Sequence, residues 1–368
     1  MTAAERMERC FDNMPVNDRS EIPVMLQILT YAATCAGVSQ KEIFFDNKKF
    51  LNALKKTYDT IGYPDSGYMV CPGDAVFGEA MPAKRPGKEL GDNELFQIIE
   101  TENMQPDEYD RLATEGWTKW YNKYYCRIQN PQFKSNLKLT MRWIKFGMTA
   151  SGNCKFLRKL GVEPIIGAGV YPVFDMLSLI RSFEKFIEDL FDDPDRIVAA
   201  MKKCTPEIIE STLGTAKRLP VPRIEIFAMR SSASVLSPGL FDEYVFPYLK
   251  DMIEGFWKAG YRSVIHADGD WLPMLDRFTQ LPKHSCHFEM DGETDLFKAY
   301  DIIGGWHSMR GDVPATMLSF DSPDTVSEYC EKLVTGLGMK GGFMLGSGCE
   351  VPMTAKDENV RRIIQAVR

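Results

Sequence analysis

The sequence predicts a parallel α/β fold, and three features of its second half lead to that prediction. From about residue 163, short apolar runs rich in β-branched and aromatic residues alternate with longer segments of helical periodicity. Successive predicted strands are separated by roughly 20 to 40 residues, which leaves room for one helix between each pair. Ionisable residues, glycines and one thiol recur at the strand ends, where βα loops converge. Both a closed barrel and an open sheet fit these features.

Six strands are predicted in this half of the chain, each from a short apolar run. They are EPIIGAG (163–169), RIEIFAM (223–229), SVIHA (263–267), CHFEM (286–290), GGWHS (304–308) and GGFMLGS (341–347). The intervening segments place apolar residues at helical spacing, as in Leu240, Tyr244 and Tyr248. These segments are therefore predicted to be helices that pack on the sheet.

The first 160 residues are predicted to be mostly helical. Candidate helices cover residues 3–13, 39–60, 106–128 and 130–146. The Gly/Pro-rich stretch from Pro72 to Gly91 is interrupted by apolar segments, whereas a flexible linker would be more uniformly polar. We therefore expect residues 1–368 to form one domain, in which 1–160 supplies helices and the first strands and 161–368 supplies the site.

Composition and charge exclude several classes of protein. Hydrophobic residues make up 44% and charged residues 26%, which is the balance of an ordinary globular chain. A net charge of −7 without a long basic run argues against nucleic acid as a partner. No apolar run reaches the roughly 18 residues that a membrane span needs, so a cytoplasmic location is expected. The nine cysteines lack a CxxC pair, and most are expected to be reduced and buried.

The most informative strand ends are those that carry His266 and Cys349. Residues i and i+2 of a strand point to the same side, so His266 and Asp268 can direct an imidazole and a carboxylate at one point. Cys349 follows the last predicted strand and would approach that point across the sheet as a thiolate. A histidine, a carboxylate and a thiolate with one open position suit Zn²⁺ acting as a Lewis acid.

Each of these residues also has a structural interpretation. A single strand-end histidine such as His266 is commonly a hydrogen-bonded structural residue, and Cys349 can be a buried inert thiol. Asp268 or Asp270 can cap the helix that begins near Trp271, and Asp270 is the better placed of the two. These alternatives remain open at the level of residue spacing.

Four longer segments together resemble the uroporphyrinogen decarboxylase superfamily. They are VIHADGDWLPMLDRFTQLP, FEMDGETDLFKAYDIIG, RGDVPATMLSFDSPDTVSEYCEKLV and GGFMLGSGCEVPMTAKDENVRRIIQAV. The resemblance covers residues 220–368 most strongly, and it is closest to the corrinoid-dependent methyltransferases, including the substrate-specific component of O-demethylases. It implies a TIM-type (β/α)8 barrel with extra N-terminal helices and a zinc site at the carboxyl ends of the strands.

The zinc motif of that family is only partly present. Its thiol-directed methyltransferases use His-x-Cys with a distant cysteine, and His266 and Cys349 match the first and last of these positions. Asp268 stands where the middle cysteine would be, so Glu289 and His307 remain second candidates for the third ligand. The departure argues against a thiol-activating site, in which a sulfur-rich ligand set is typical.

The resemblance implies a methyl transfer. The expected reaction moves a methyl group from a small methylated substrate, an aromatic methyl ether above all, to the Co(I) corrinoid of a separate corrinoid protein. Two other enzyme activities remain as alternatives, a methylcobamide:thiol methyltransferase and a tetrapyrrole decarboxylase. A corrinoid-binding or storage protein without chemistry is the alternative outside the enzymes.

The basic residues favour a small substrate over a tetrapyrrole. Decarboxylases of the superfamily bind their acidic substrate through an arginine-rich segment resembling RQAGRY, whereas the corresponding IPVMLQILTYAATCAGVS has no arginine. Arg230 and Arg310 are the arginines near the predicted strand ends, which indicates a neutral or mono-anionic substrate. A structural ion pair between Arg310 and Asp312 is the alternative for the second arginine.

Apolar residues near the strand ends are candidates for the wall of a substrate pocket. Phe227, Met229, Trp306 and Met309 are predicted to lie there, although such side chains are also common in plain cores. Tyr31 is a further candidate, because in this family the N-terminal helices cover the barrel mouth.

Overall fold

The computed structural model describes residues 1–79, 81–133 and 136–368, and it describes no side chain within residues 130–136. Within that part of the chain nine strands form one parallel sheet and two form a small antiparallel pair, β3 with β4. The strands are β1 Val24–Gln27, β2 Ser66–Gly67, β3 Ala83–Lys84, β4 Gln97–Ile98, β5 Glu163–Pro164, β6 Ala168–Val170, β7 Arg223–Ala228, β8 Arg262–Ala267, β9 Cys286–Met290, β10 Ser308–Val313 and β11 Phe343–Glu350.

The parallel sheet closes into a barrel at β5 and β6. The strand order is β5-β2-β1-β11-β10-β9-β8-β7-β6, so the two ends of the sheet are segments only three residues apart in the chain. Ile165 donates its backbone N–H to Gly67 on one side, and Gly167 donates to Arg223 on the other, at 3.1 and 2.9 Å. One kinked segment therefore completes an eight-membered ring, and the predicted TIM-type barrel is confirmed.

Helices connect and surround the strands. They are α1 Ala3–Phe11, α2 Tyr31–Ala36, α3 Gln40–Phe45, α4 Asn47–Ile61, α5 Pro72–Gly78, α6 Glu108–Glu115, α7 Trp117–Phe133, α8 Asn136–Lys159, α9 Val173–Arg181, α10 Phe183–Asp192, α11 Pro194–Ala216, α12 Pro238–Tyr244, α13 Phe246–Lys258, α14 Leu296–Ile303, α15 Ala315–Phe320, α16 Pro323–Gly336 and α17 Asp357–Gln365. Short 3₁₀ helices cover Arg19–Glu21, Leu272–Gln280 and Gly338–Lys340.

The N-terminal part contributes both helices and strands. β1 and β2 lie between β5 and β11, so the barrel takes strands from both parts of the chain. The helix predicted at 39–60 divides at Asp46, whose carboxylate accepts from the backbone of Lys48 and begins α4. The helix predicted at 106–128 divides at Gly116, where φ is +80° and α6 ends. None of the described helices combines the length and apolar character that crossing a membrane requires.

The strand predicted at 304–308 was wrong, and the correction changes where the candidate residues Trp306 and His307 lie. Residues 304–307 form a turn, with Gly305 at φ +75°, and β10 begins only at Ser308. The polar sequence SMRGDV looked like a loop because its arginine and aspartate are charged, yet all six residues are buried. His307 and Trp306 therefore precede β10 and lie at the N-terminal end of the barrel, opposite its mouth.

Candidate metal centre at the barrel mouth

Three side chains converge where β8 and β11 end. The imidazole Nε2 of His266 lies 3.3 Å from Oδ1 of Asp268 and 3.9 Å from Sγ of Cys349. His266 is buried, while Asp268 and Cys349 are half-buried, so the group is enclosed below and open above. The three ligand atoms lie within 4.8 Å of one another. The residues that the sequence predicted as the metal ligands are thus brought together.

The separations fit a tetrahedral zinc ion. Bond lengths of roughly 2.0–2.3 Å and tetrahedral angles require ligand atoms about 3.3–3.6 Å apart. The two distances measured from Nε2 of His266, 3.3 and 3.9 Å, lie in or near that range. Three protein ligands and an open side towards the mouth are the pattern of a catalytic site.

Local backbone contacts hold the candidate ligands in place. The backbone N–H of Gly269 donates to Asp291 at 2.7 Å, which ties the loop after β8 to the end of β9. Asp270 accepts from the backbone N–H of Leu272 at 2.9 Å, but the 3₁₀ helix that begins there has Trp271 at its N-cap position and no side-chain cap, so the capping role predicted for Asp270 was wrong. Before Cys349, a side chain at Gly348 would lie 2.6 Å from the carbonyl oxygen of Asp291. Only glycine lets β11 approach β9 so closely.

The surroundings of His266 favour a positive charge at its ring. Burial alone would lower its pKa, but the contacts with Cys349 and Glu289 and the charge of Asp268 raise it well above the ordinary value. Burial raises the pKa of the Asp268 carboxyl, and His266 partly opposes that shift. A cation at Nε2, whether a proton or a metal ion, is therefore stabilised by the groups around it.

Glu289 orients the histidine from below. Its Oε2 lies 3.2 Å from Nδ1 of His266, on the ring nitrogen that faces away from Asp268 and Cys349. Arg310 is fully buried and places Nη2 3.5 Å from the same oxygen. Burial opposes ionisation of Glu289, but Arg310 and His266 outweigh it and hold the pKa of this carboxyl below its usual value. A charged Glu289 keeps the proton on Nδ1 and leaves Nε2 available for a metal.

A second buried carboxyl lies beneath this pair. Glu225 of β7 is 3.8 Å from Nδ1 of His266, and the hydroxyl of Tyr68 donates to it and lies 3.1 Å from Glu289. Burial and the nearby charge of Glu289 raise the pKa of Glu225. The sequence contained one signal for Glu225, a carboxyl that stands between the apolar residues Ile224 and Ile226 of a predicted strand. Tyr68 follows a two-residue strand and had no comparable signal.

Glu289 and His307, the second candidates for the third ligand, lie at different places in the barrel. Glu289 is close to His266 but on the wrong ring nitrogen to share a metal with Cys349. His307 is not part of the site: its Nε2 bonds to the carbonyl oxygen of Phe278 at 2.9 Å, at the opposite end of β10. Burial lowers the pKa of His307 to about 4, so this imidazole is neutral.

Other predicted substrate-binding residues are displaced from the mouth. Trp306 donates its indole N–H to Leu281 at the N-terminal end of the barrel, and Tyr31 is fully buried with its hydroxyl bonded to Asp357 at 2.6 Å. Arg310 is in the middle of β10, not at its end, and contacts Glu289 instead of Asp312. Asp312 accepts from Tyr329 at 2.6 Å, so the alternative of a structural ion pair between Arg310 and Asp312 is not realised among the described contacts.

Phe227 does lie beside the ligands. Its ring is 6.2 Å from the His266 ring in an edge-to-face arrangement and 5.1 Å from the ring of Tyr171. Met229 follows β7 on the mouth side and is 40% exposed. Arg230 pairs with Glu100 at 2.7 Å, so its charge is already compensated. The mouth thus has an aromatic wall on the side of β7.

A cavity of about 510 Å³ lies among the segments that follow β1 and β2 and the helices α7 and α8. Phenylalanines and four basic residues line it, the latter being Arg85, Arg127, Arg142 and Lys145. The three arginines contact the carboxylates of Glu89, Glu108 and Asp74, respectively. Most of the positive charge in this cavity is therefore already neutralised within the protein.

Comparisons with known proteins agree with this architecture. A methyltransferase from Methanosarcina mazei has a similar structure, with a TM-score of 0.69 at 15% sequence identity. The match covers 100% of this chain and 98% of that one. At this identity the likeness shows the fold, which is the barrel described above. Among curated protein sequences, none matches this chain.

The family follows from a match to residues 151–368, which contain the strands from β5 to β11 and all three converging side chains of the candidate site. The matching family is uroporphyrinogen decarboxylase (URO-D), and the matched part is more than half of the chain. The chain therefore belongs to the uroporphyrinogen decarboxylase family.

Proposed function

We propose that the protein is a zinc-dependent methyltransferase that moves a methyl group from a small methylated substrate to the Co(I) corrinoid of a partner protein. An aromatic methyl ether is the substrate we favour. The observation that carries the proposal is the convergence of His266, Asp268 and Cys349 at an open barrel mouth. The similarity of the whole chain to a methyltransferase structure supports the same class of reaction.

The ligand set matches the chemistry of ether cleavage. An unactivated ether is a poor electrophile, because its oxygen leaves as a poorly stabilised anion. Zinc at this site would supply a Lewis acid for the negative charge that develops on that oxygen. Asp268 in place of a cysteine makes the donor set harder, which favours an oxygen ligand over a thiolate.

The protein's own residues bind and orient the reactants. His266 presents Nε2 because Glu289 holds Nδ1, and this arrangement is fixed before any substrate arrives. Phe227 and Tyr171 offer aromatic faces against which a ring can pack beside the ligands. In the overall reaction the methyl carbon–oxygen bond breaks, a methyl–cobalt bond forms with the electron pair of Co(I), and the released oxygen takes a proton from water.

A tetrapyrrole decarboxylase is the second candidate, and the basic cavity is the observation that favours it. Four cationic side chains line that cavity, but its three arginines already contact carboxylates of the protein. Of the four basic residues that line the cavity, Lys145 is then the one left to bind a carboxylate of a substrate. A substrate with many carboxylates would have to break these ion pairs, so methyl transfer is preferred.

A substrate screen tests the proposal. The zinc-loaded protein is mixed with each reduced corrinoid protein of its organism and with free cob(I)alamin, and the cobalt spectrum is followed. Methyl ethers, methylamines and thiols are offered in turn, and the double variant His266→Ala/Cys349→Ala is the control. We expect methyl ethers alone to convert Co(I) to methyl-cobalt. Consumption of methyl-cobalt by a thiol, or release of CO₂ from a tetrapyrrole, would contradict the proposal.

A further inference from the structure

Within the described residues, α8 carries more large exposed apolar side chains than any other helix. Leu137, Met141, Ile144 and Met148 are 70%, 61%, 60% and 72% exposed, respectively, and we call them the α8 stripe. Their spacing of four, three and four residues puts them on one line along the helix. A surface helix normally turns such a line towards the core. Within the described residues, the α8 stripe faces away from the protein instead.

The α8 stripe lies on the mouth side of the barrel. Asn153 of α8 donates to the carbonyl oxygen of Met69, which lies two residues after β2 and so marks the level of the mouth. From there α8 continues down to Lys159, shortly before β5 begins. At 1.5 Å per residue, Met148 lies about 8 Å and Leu137 about 24 Å above Asn153 along the helix. The stripe therefore projects beyond the mouth that holds the metal ligands.

The segment around the stripe is strongly basic. Residues 117–159 contain ten lysines and arginines and no aspartate or glutamate, although the whole chain has a net charge of −7. Lys138 and Lys145 follow Leu137 and Ile144 in sequence and flank the same side of the stripe. Neither lysine has an acidic partner in the part of the chain that the structure describes. The charge complementary to this surface is negative.

Area and charge together distinguish the possible occupants. Four such side chains, each about two-thirds exposed, present roughly 400–500 Å² of apolar surface, below the ~800 Å² per partner of a standard stable interface. A second copy of this chain would also bring basic residues against basic residues. Two of the four residues are methionines, whose flexible side chains adapt to grooves in other proteins. An acidic protein that docks transiently fits these properties best.

We propose that the α8 stripe, together with Lys138 and Lys145, docks an acidic, groove-bearing face of the corrinoid protein that accepts the methyl group. This inference rests on the proposed function. The stripe projects past the mouth, so a protein held there has its corrinoid within reach of the substrate. The corrinoid protein would then dock on one surface, while the reaction takes place at another, at His266, Asp268 and Cys349.

Comparing two methyl acceptors tests the inference. The triple variant Met141→Gln/Ile144→Gln/Met148→Gln keeps strong helix formers on α8 and removes most of the stripe. Its matched control is Phe191→Gln/Phe320→Gln, which alters side chains that are 67% and 77% exposed elsewhere. We expect the triple variant to raise the KM for the corrinoid protein about tenfold or more and to leave the rate with free cob(I)alamin unchanged. The control should match the wild type with both acceptors.

A charge reversal gives a second, independent readout. Lys138→Glu/Lys145→Glu should raise the same KM at low salt and flatten its dependence on ionic strength, whereas Lys202→Glu/Lys217→Glu on α11 and its C-terminal end should do neither. An unchanged KM in both α8 variants, or an equal loss with both acceptors, would overturn the docking proposal. A wild-type dimer that the triple variant dissociates, or binding to phosphatidylserine vesicles that it abolishes at unchanged KM, would overturn it as well.

Failure of the proposed function is a separate result. In that case the wild type transfers methyl groups to neither acceptor. Direct titration of the corrinoid proteins then decides the docking proposal by itself. Binding that the triple variant loses and the Phe191/Phe320 control keeps would support docking, and absent or equal binding would overturn it.

Discussion

The two ends of the barrel contain the same residue type in opposite chemical states. His266, near the end of β8 at the mouth, and His307, just before β10 at the N-terminal end, are both buried imidazoles. His266 faces Cys349, Asp268 and Glu289, and these groups raise its pKa. His307 faces a backbone carbonyl, and burial lowers its pKa to about 4. The end of the barrel at which a histidine lies, and not its residue type, therefore decides whether it can hold a cation.

The N-terminal end is closed by structural contacts. The ring of Phe11 from α1 packs edge-on against His287 at 5.0 Å and lies under the guanidinium groups of Arg223 and Arg262. Burial lowers the pKa of His287 to about 3, and its ring bonds to Ser308 at 2.8 Å. This end therefore contributes stability, whereas the mouth carries the groups available for chemistry.

The largest expected effect comes from removing ligands at the mouth. His266→Ala/Cys349→Ala should abolish stoichiometric zinc and lower methyl transfer about a thousandfold or more, because several kcal/mol of transition-state stabilisation is lost. His307→Ala should keep both zinc and rate per folded molecule while costing about 1–3 kcal/mol of stability. Metal content by mass spectrometry, rates and urea unfolding compare them. Equal zinc in the two variants would remove the distinction between the ends.

The third ligand is tested by two replacements of Asp268. Asp268→Asn should lower zinc affinity and ether demethylation together, since a neutral amide is a weaker ligand than a carboxylate. Asp268→Cys should keep the metal but lower the rate on ethers, because a thiolate makes the site softer. Metal titrations and rates with one methyl ether provide the measurements. Full zinc and full rate in Asp268→Asn would show that another group completes the site.

Replacing the carboxylates beneath His266 should affect metal binding less than replacing the candidate ligands themselves. Glu289→Gln removes the charge that orients His266 and is expected to lower zinc affinity 10- to 100-fold. It also leaves Arg310 buried without its counter-ion, which should cost about 3–5 kcal/mol of stability. Glu225→Gln is the matched control, because the raised pKa of Glu225 already favours a neutral side chain. Similar zinc affinities in the two variants would mean that Glu289 has no special role.

The smallest effect concerns acid stability at the N-terminal end. The pKa of His307 is about 4 in the folded protein and ordinarily 6.5, so the unfolded chain binds more protons between these pH values. Stability should fall as the pH drops through that window, by at most about 3 kcal/mol from this residue. His307→Gln should lose less stability than the wild type between pH 6.5 and 4 in urea unfolding of the metal-free protein. An identical loss would mean that His307 does not titrate in this range.

The sequence predicted the barrel and the convergence of His266, Asp268 and Cys349 because both leave local signals. β9 was predicted with its observed bounds, since CHFEM is a short apolar run between turn residues. Strand-end position and spacing singled out His266 and Asp268, and the resemblance added weight to Cys349. β10 was misplaced because Arg310 and Asp312, charged residues inside the barrel, break the apolar pattern.

The remaining parts of the site depend on contacts between distant segments. Tyr68 and Glu289 are brought together only by the closed barrel, and Tyr171 approaches Phe227 only through the pairing of β6 with β7. Tyr31 and Trp306 have the residue types of a pocket wall, but their polar atoms bond to Asp357 and Leu281 away from the mouth. Composition does not determine which way such a side chain turns.

X-ray absorption at the zinc edge tests the central claim most directly, because it measures the ligands of the metal in the loaded protein. Zinc held by His266, Asp268 and Cys349 should show one sulfur neighbour at about 2.3 Å and nitrogen or oxygen neighbours at about 2.0–2.2 Å. The sulfur signal should disappear in Cys349→Ser and persist in His307→Ala. A site with no sulfur neighbour, or with two or more, would contradict the ligand set on which the proposed function depends.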